Sequence, residues 1–474
     1  MRRTIIVLTA LVIFNICTIA QNNNETSQLP VLRMTGNFGY EYQQGTVTIE
    51  YANGSKEENL TASIKWRGGS TNTEGKHKRN YKIKFTEDHS FFGMRNDNNW
   101  ILDAGQADVF RLRNRIATEL WEDFSVKPYY ADKEPNAMSC VRGQVVEVYL
   151  NDEYRGIYSL TECMDRKQMK LKKFEKNGTI HGILWKTIGY GSSMMYTVPE
   201  SYDNSQSLMD DVFEAKYPEP GDDLPSTDYS ILWDAINFTV NSSNEEFANH
   251  VAEYFDVPVL VDYYLFVNLL SAIDNTGKNM YWAVYDKQED KKITPAVWDL
   301  DMTMGARSLE QFNKSFSSPD FAIGDALNVI TRLKELNVDN FNEKVTQRYR
   351  QLRQTYFSPN NLIARYQKYY QLLKACGAAE REQNLWSEDS DVAGEVIDFD
   401  AEILYISNWI TKHIKYLDEN YFDYQEGTGI KSITSSDSKD TKNIIYHMDG
   451  RPVNHPNRLQ KGIYICNGKK YVNR

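Results

Sequence analysis

Between residues 45 and 90 apolar and polar positions alternate, and VTIEY, ASIKWRG and YKIKF each carry the two-residue period of a half-buried strand. Turn-forming clusters such as Ala52-Asn53-Gly54-Ser55 separate them, so an antiparallel sheet is expected. The period then changes. In VFRLRNRIATELWEDF, Leu112, Ile116, Leu120 and Phe124 recur every four residues, which predicts a helix from about Asp108 with that aspartate as its N-cap. Two alternating runs in VRGQVVEVYLNDEYRGIYSLTEC predict a hairpin whose two-residue turn, Asn151-Asp152, sets Leu150 opposite Glu153. Residues 198–248 are polar and rich in turn formers around PEPGDDLPSTD, and read as a long surface insertion. Asp256 is placed to cap VPVLVDYYLFVNLLSAI, a largely apolar helix that tolerates Pro258 in its first turn and delivers Asp274 at its end. MYWAVYD and KITPAVWDLD read as a second hairpin, and residues 325–425 are helical in period, as in VTQRYRQLRQTYF. The expected architecture is α+β, a small β-rich lobe followed by a larger helical lobe.

Both ends of the chain depart from this pattern. Arg2 and Arg3 precede an apolar run from Ile5 to Ile16, then Thr18-Ile19-Ala20 and the polar Gln21-Asn22-Asn23-Asn24, which reads as a signal peptide, 1–20, cleaved after Ala20. A single-pass anchor is the alternative, but the run is short and Asn15 interrupts it. Residues 21–45 are read as an N-terminal extension and 46–425 as the main domain. EGTGIKSITSSDSKDT, residues 426–441, has linker composition, and 442–474 form a small β-rich tail with an Asn467-Gly468 turn. An exported chain with no membrane-spanning segment once matured is the expectation, in the periplasm, at the cell surface or outside the cell.

The formal charge is −11. Without Arg2 and Arg3 it is −13, and the last 33 residues carry seven Lys or Arg against one Asp, which leaves residues 21–441 near −19. That field repels nucleic acid. Outside the signal peptide the cysteines are Cys140, Cys163, Cys376 and Cys466, with no CxxC pair, so zinc ribbons and thioredoxin-type chemistry are unsupported. The hairpin register, continued, sets Cys140 opposite Cys163, a disulfide candidate in an exported protein. It falls at a hydrogen-bonded pair, a less favourable position, with Gly143 as a candidate bulge.

The chemistry concentrates between Asp274 and Gly305, in AIDNTGKNMYWAVYD and PAVWDLDMTMG. Asp274 and Asn279 have the D-x-x-x-x-N spacing of a kinase catalytic loop, and Asp299 and Asp301 follow at the end of the next hairpin. In phosphoryl transfer one Asp orients the acceptor hydroxyl while an Asn and another Asp hold Mg²⁺ against the phosphates. The structural alternative is that Asp274 and Asn275 cap helices and Asp299 and Asp301 sit on a solvated strand. An extended WDLD puts two carboxylates on one side, where like charges call for a cation or a shared proton. Oxygen ligands without His or Cys favour Mg²⁺, Mn²⁺ or Ca²⁺ over zinc.

With IKWRGGSTNTEGKHKRNYKIKF, WILDAGQADVFRLRNRIATELW, VEVYLNDEYRGIYSLTE, NLLSAIDNTGKNMYW and PAVWDLDMTMG in this order, the chain resembles the spore-coat protein H (CotH) kinase family over roughly residues 60–420. The resemblance implies an atypical protein-kinase-like, two-lobed fold that uses ATP and Mg²⁺. It implies Asp274 as the catalytic-loop aspartate, Asn279 assisting metal and phosphates, and Asp299 or Asp301 as the metal ligand. Arg79, Lys82 and Lys84 lie in KRNYKIKF, where a cation would hold the phosphates, Lys82 being the first choice. Glu162 stands where a kinase has its hinge and would face the adenine. Arg113 and Asn114 match the family's RN, with helix packing or capping as the alternative, and Glu119 is a candidate partner for the strand lysine. The GYGSSM run near Gly189 reads as a turn. The family's RGNSS is Arg67-Gly68-Gly69-Ser70-Thr71 here, and its Asn-Gly turn is Asn151-Asp152. The tail's MDGRPV and KGIYI-NGKK elements resemble those of exported Bacteroidota proteins, including sorting domains.

The expected function is a secreted, Mg²⁺- and ATP-dependent kinase acting on Ser or Thr of an exported protein. The alternatives are a non-catalytic binding or assembly scaffold, and another metal-dependent phospho- or nucleotidyl-transferase. No GxSxG, HExxH or P-loop points to a serine hydrolase, zincin or P-loop NTPase.

Overall fold

The computed structural model describes residues 28–221, 227–306, 327–387 and 395–425, together with three strands near the C-terminus. The expected signal peptide, the 426–441 linker and the centre of the 198–248 segment, 222–226, lie outside the described residues. Seven strands close into a barrel: β1 (Val31–Thr35), β2 (Gln43–Glu50), β3 (Lys56–Arg67), β4 (Asn80–His89), β5 (Asp97–Asp103), β6 (Gly143–Leu150) and β7 (Glu153–Thr161). Their order is β1-β2-β3-β4-β5-β7-β6. Neighbours are antiparallel except at the closure, where β1 runs parallel to β6 with Val31 beside Glu147.

Strict alternation fills the barrel. Ile49, Ile64, Tyr81, Ile83, Trp100 and Val148 belong to one buried cluster, so Lys82 and Lys84 fall on the outer face of β4. The expected β-rich lobe is a closed barrel, and residues 21–45, read as an extension, supply β1 and the start of β2. In VLRMT only Leu32 and Met34 are fully buried, too few positions to establish a period.

The β6–β7 hairpin opens as expected, Leu150 facing Glu153 and Tyr149 facing Tyr154, but then Val148 faces Gly156. Arg155 is the extra residue of a bulge. Every later pair moves by one, so Gly143 faces Thr161, and just beyond it the Glu162 N–H bonds the Arg142 carbonyl at 3.0 Å. Cys140 and Cys163 are free thiols; the bulge lies at Arg155 and not at Gly143. Gly156 has φ +103°, and a Cβ there would come within 2.1 Å of Glu382 Oε2.

Helix α1 (Arg113–Phe124) begins five residues later than expected. Asp108 still organises its start, accepting from the Phe110 N–H at 2.9 Å and the Arg113 N–H at 2.7 Å. A second sheet, in the order β12-β11-β8-β10-β9, combines β8 (Ile183–Thr187), β9 (Leu208–Met209), β10 (Phe213–Tyr217), β11 (Met280–Val284) and β12 (Thr294–Val297). The β11–β12 hairpin matches the sequence pattern. The 198–248 segment does not behave as a surface insertion, since it supplies β9 and β10 and then α2 (Ser230–Asn241) and the start of α3 (Asn244–Tyr254). Phe213, Ala215 and Tyr217 alternate into the core and hold it there.

The rest is helical: α4 (Val257–Leu270), α5 (Asn328–Glu335), α6 (Phe341–Arg353), α7 (Pro359–Ala375), α8 (Ala378–Trp386) and α9 (Phe399–Asn420). Asp256 occupies the N-cap of α4, yet its carboxylate accepts from the Tyr129 N–H at 2.8 Å instead of capping the helix. Residues 423–474 form a separate unit whose strands β13 (Ile445–His447), β14 (Gly462–Cys466) and β15 (Lys469–Asn473) pair antiparallel, Cys466 facing Lys469 across the expected Asn467-Gly468 turn position. The whole is a mixed α+β chain, with sheets leading and helices following. Among the described residues no helix is long and apolar enough to cross a membrane.

Candidate active site

Helix α4 stops at Leu270 because Ser271 turns left-handed, φ 50°, and a single 3-10 turn, Ile273–Asn275, then carries Asp274. Three side chains donate to that carboxylate. Oδ1 accepts from the Tyr190 hydroxyl and the Lys278 ammonium, each at 3.1 Å, and Oδ2 accepts from Asn279 Nδ2 at 2.6 Å. Asn279 sits at φ 52°, a conformation asparagine tolerates, and its N–H bonds the Thr187 carbonyl of β8 at 3.1 Å. Asn275 Nδ2 donates to the Asn279 carbonyl at 3.0 Å and the Trp298 carbonyl at 2.7 Å. The loop bearing Asp274 is thereby tied to the chain just before Asp299.

Strand β12 ends at Val297, and Asp299 is left-handed, φ 59°. WDLD therefore lies beyond the strand in irregular backbone, and period-two alternation does not set its carboxylates. Asp299 and Asp301 nevertheless line the same cleft, of about 980 Å³, as Asp274 and Asn279. Asn114 of α1 fastens this segment, accepting from the Leu300 N–H at 3.0 Å and donating to Asp103 Oδ2 at 2.7 Å. Asp103, at the end of β5, is a further cleft carboxylate.

Arg67 and Lys186 bring positive charge to the cleft and flank the Trp298 ring at 5.6 and 5.9 Å. The Gly68-Gly69 loop lines it beside Thr71. Gly68 has φ +122°, and a Cβ there would lie 2.1 Å from the Thr71 hydroxyl. Asn80 joins the loop to the end of β5, through Thr71 at 3.2 Å and the Ala104 N–H at 2.6 Å.

Burial raises the Asp301 carboxyl well above the usual range, and the charges of Asp299, Asp103, Asp108 and Asp274 push it further. Asp299 is raised by burial and by Asp103 and Asp274, against the pull of Lys186 and Arg67. Burial lowers Lys186, with Asp299 opposing and Arg67 assisting. The cleft thus concentrates negative charge that a hard divalent cation would relieve. Its lining holds oxygen donors without His or Cys, which fits Mg²⁺. Among the described residues no three His, Cys, Asp or Glu side chains converge on one point, so an ion would be held by Asp299 and Asp301 with Asn279 nearby, its remaining positions going to water or phosphate, as Mg²⁺ tolerates.

The other predicted residues stand elsewhere. Lys82 Nζ lies 2.7 Å from Cys163 Sγ, Lys84 is exposed, and neither lines the cleft. Arg79 braces the 68–76 loop instead, bonding the Thr73 carbonyl at 3.0 Å and stacking on Trp66 at 4.4 Å. Glu162 is fully buried, and its oxygens accept from the Arg95 and Arg142 N–H groups and from Gln168. Burial alone would raise Glu162, but these donors and the Arg142 guanidinium hold it below the usual carboxylate range. Glu119 pairs with Arg115 at 3.2 Å and Tyr369 at 2.6 Å, not with a strand lysine. Arg113 is buried between Asp108 and Glu402. Sequence reasoning missed Lys186, Asp103 and the role of Tyr190. Lys186 alternates outward in ILWKT and Asp103 ends the WILD strand, which were the available signals. GYGSSM reads as a turn until its tyrosine is seen on Asp274.

The cleft of this mixed α+β chain thus gathers paired carboxylates, an Asp–Asn loop and five cations, Arg67, Lys76, Arg115, Lys186 and Lys278. The chain belongs to the family described as CotH kinase protein, whose model matches residues 64–417. A comparison with curated proteins finds no match.

Proposed function

We propose that this chain is a secreted kinase that transfers the γ-phosphate of ATP to Ser or Thr hydroxyls of an exported protein, dependent on Mg²⁺. The observation that carries the reading is the direct Asn279–Asp274 hydrogen bond at 2.6 Å in a cleft shared with Asp299 and Asp301, within a chain of the CotH kinase family. In this reading the barrel and its Gly68-Gly69 loop take the part of the nucleotide-binding lobe, and the helical portion takes that of the second lobe. Asp274 orients the acceptor hydroxyl and takes up its proton. Asp299 and Asp301 hold the metal, with Asn279 assisting. Lys186 and Arg67, which reach the cleft, replace Lys82 as the phosphate-binding cations. Bound Mg²⁺ would neutralise charge on the phosphate oxygens and keep them aligned.

The test is incubation with γ-labelled ATP, Mg²⁺ and a generic protein acceptor. Label reaches the acceptor, and Asp274→Asn lowers transfer by roughly 10²–10⁴-fold while the melting curve is retained. Transfer from the α-position would instead establish nucleotidyl transfer, and no nucleotide-induced rise in melting temperature at millimolar ATP and Mg²⁺ would leave a binding scaffold.

A further inference from the structure

Residues 166–176 read RKQMKLKKFEK, six cations against Glu175, in a chain whose formal charge is −11. The fold turns this run into one wall of a groove of about 460 Å³ that shares no lining residue with the Asp274 cleft. Its base is neutralised. Arg95 is paired with Asp165 at 2.6 Å and Asp97 at 3.3 Å, and Lys167 reaches Asp97 at 2.9 Å. Its rim is not neutralised. Lys170, Lys172 and Lys173 are exposed and, like Arg166, enter no ion pair among the described residues. Arg166 instead lies 5.5 Å over Tyr217 and donates to the Leu171 carbonyl at 3.1 Å. Lys172 and Lys173 lie over Tyr285 and Phe174 at 5.6 and 6.0 Å. These contacts hold the ammonium groups near ring faces, and both lysines remain exposed. Glu134 is the single acidic lining residue.

We infer that this groove is a docking site for a short acidic polypeptide segment. At physiological salt a charge is felt over about 8 Å, so a ligand in the groove meets four cations rather than the net negative chain. A short segment avoids the repulsion that a long polyanion would meet along the rest of the surface. The site is concave, which does not suit a flat anionic bilayer. Its lining includes no aromatic side chain on which an unpaired base could stack. The inference does not depend on phosphoryl transfer.

The test titrates the full chain with a fluorescein-labelled hepta-glutamate at physiological salt, alongside hepta-lysine, heparin and anionic phosphatidylglycerol vesicles. The glutamate peptide binds, hepta-lysine does not, and the combined Lys170→Glu, Lys172→Glu and Lys173→Glu variant weakens binding about tenfold, as three exposed ion pairs would. A matched control, Lys344→Glu with Lys368→Glu and Lys415→Glu, retains binding within about threefold, which separates the groove from net charge. Circular dichroism melts of both variants check that each is folded. Equal losses in the two variants, no peptide binding, or groove-dependent binding of heparin or vesicles in place of the peptide overturns the inference.

Discussion

Asp274 accepts hydrogen bonds from Tyr190, Lys278 and Asn279, and an ionised carboxylate offers about four acceptor sites. Lys278 also reaches Oδ2 at 3.3 Å, so these contacts fill all four sites and an incoming hydroxyl must displace one donor. Tyr190 is the partner to yield, because its ring is exposed and it stands between Gly189 and Gly191. Tyr190→Phe is expected to lower the acceptor KM severalfold while kcat stays within about threefold, which steady-state kinetics resolves. Asp301 behaves differently. Its raised carboxyl binds a proton more tightly in the folded chain than in the unfolded one. Its contribution to stability is therefore complete at low pH and is lost as pH rises from the ordinary carboxylate range through the folded value. Asp301→Asn should stabilise the metal-free chain at pH 7 by ~1 kcal/mol, flatten that pH dependence and abolish the rise in melting temperature on adding Mg²⁺. Calorimetry at pH 4 and pH 7, with and without Mg²⁺, reads all three.

The β6–β7 hairpin illustrates what one residue does to an element. Arg155 shifts the register, and the shift removes the Cys140–Cys163 pairing that the undisturbed alternation would set. The bulge also opens the ladder at Gly156, where the Ile157 N–H donates to Glu382 Oε2 at 2.7 Å. Gly156→Ala places a methyl against that carboxylate at a positive φ, and is expected to cost about 3 kcal/mol, read from urea unfolding.

At the scale of the whole molecule, Glu382 joins barrel and helices. Its Oε1 accepts from Lys78 at 2.8 Å and Arg111 at 2.7 Å, all three side chains being buried. Burial alone would raise the Glu382 carboxyl, but Lys78 and Arg111 hold it below the usual range. Burial pushes the Lys78 amine down to about 7, with Glu382 pulling upward and Arg111 adding to the push. An arginine guanidinium is not deprotonated in proteins. Glu382→Gln therefore leaves a buried guanidinium without its counter-ion, and a loss of about 3–5 kcal/mol is expected, read by thermal unfolding. The lowered carboxyl contributes stability above the ordinary Glu range and loses it as pH falls through the folded value. The variant should accordingly lose less stability on acidification than the parent chain.

The sequence by itself determined what is local. Alternation in VTIEY, ASIKWRG and YKIKF defines strands because inward and outward positions differ every second residue, and the D-x-x-x-x-N spacing brings Asp274 and Asn279 into contact because the loop between them is short. Asp299 and Asp301 were legible as a charged pair, although they lie beyond the end of the strand assumed for them. Tertiary structure alone decided closure of the barrel, since the β1–β6 pairing joins residues more than a hundred positions apart and leaves no local trace. It also decided which cations reach the cleft. Lys82 and Lys186 are both outward lysines on strands, and only packing between the sheets distinguishes the one facing Cys163 from the one facing Asp299. The bulge at Arg155 belongs here too, because the buried Glu382 that receives the freed backbone comes from a helix more than two hundred residues away.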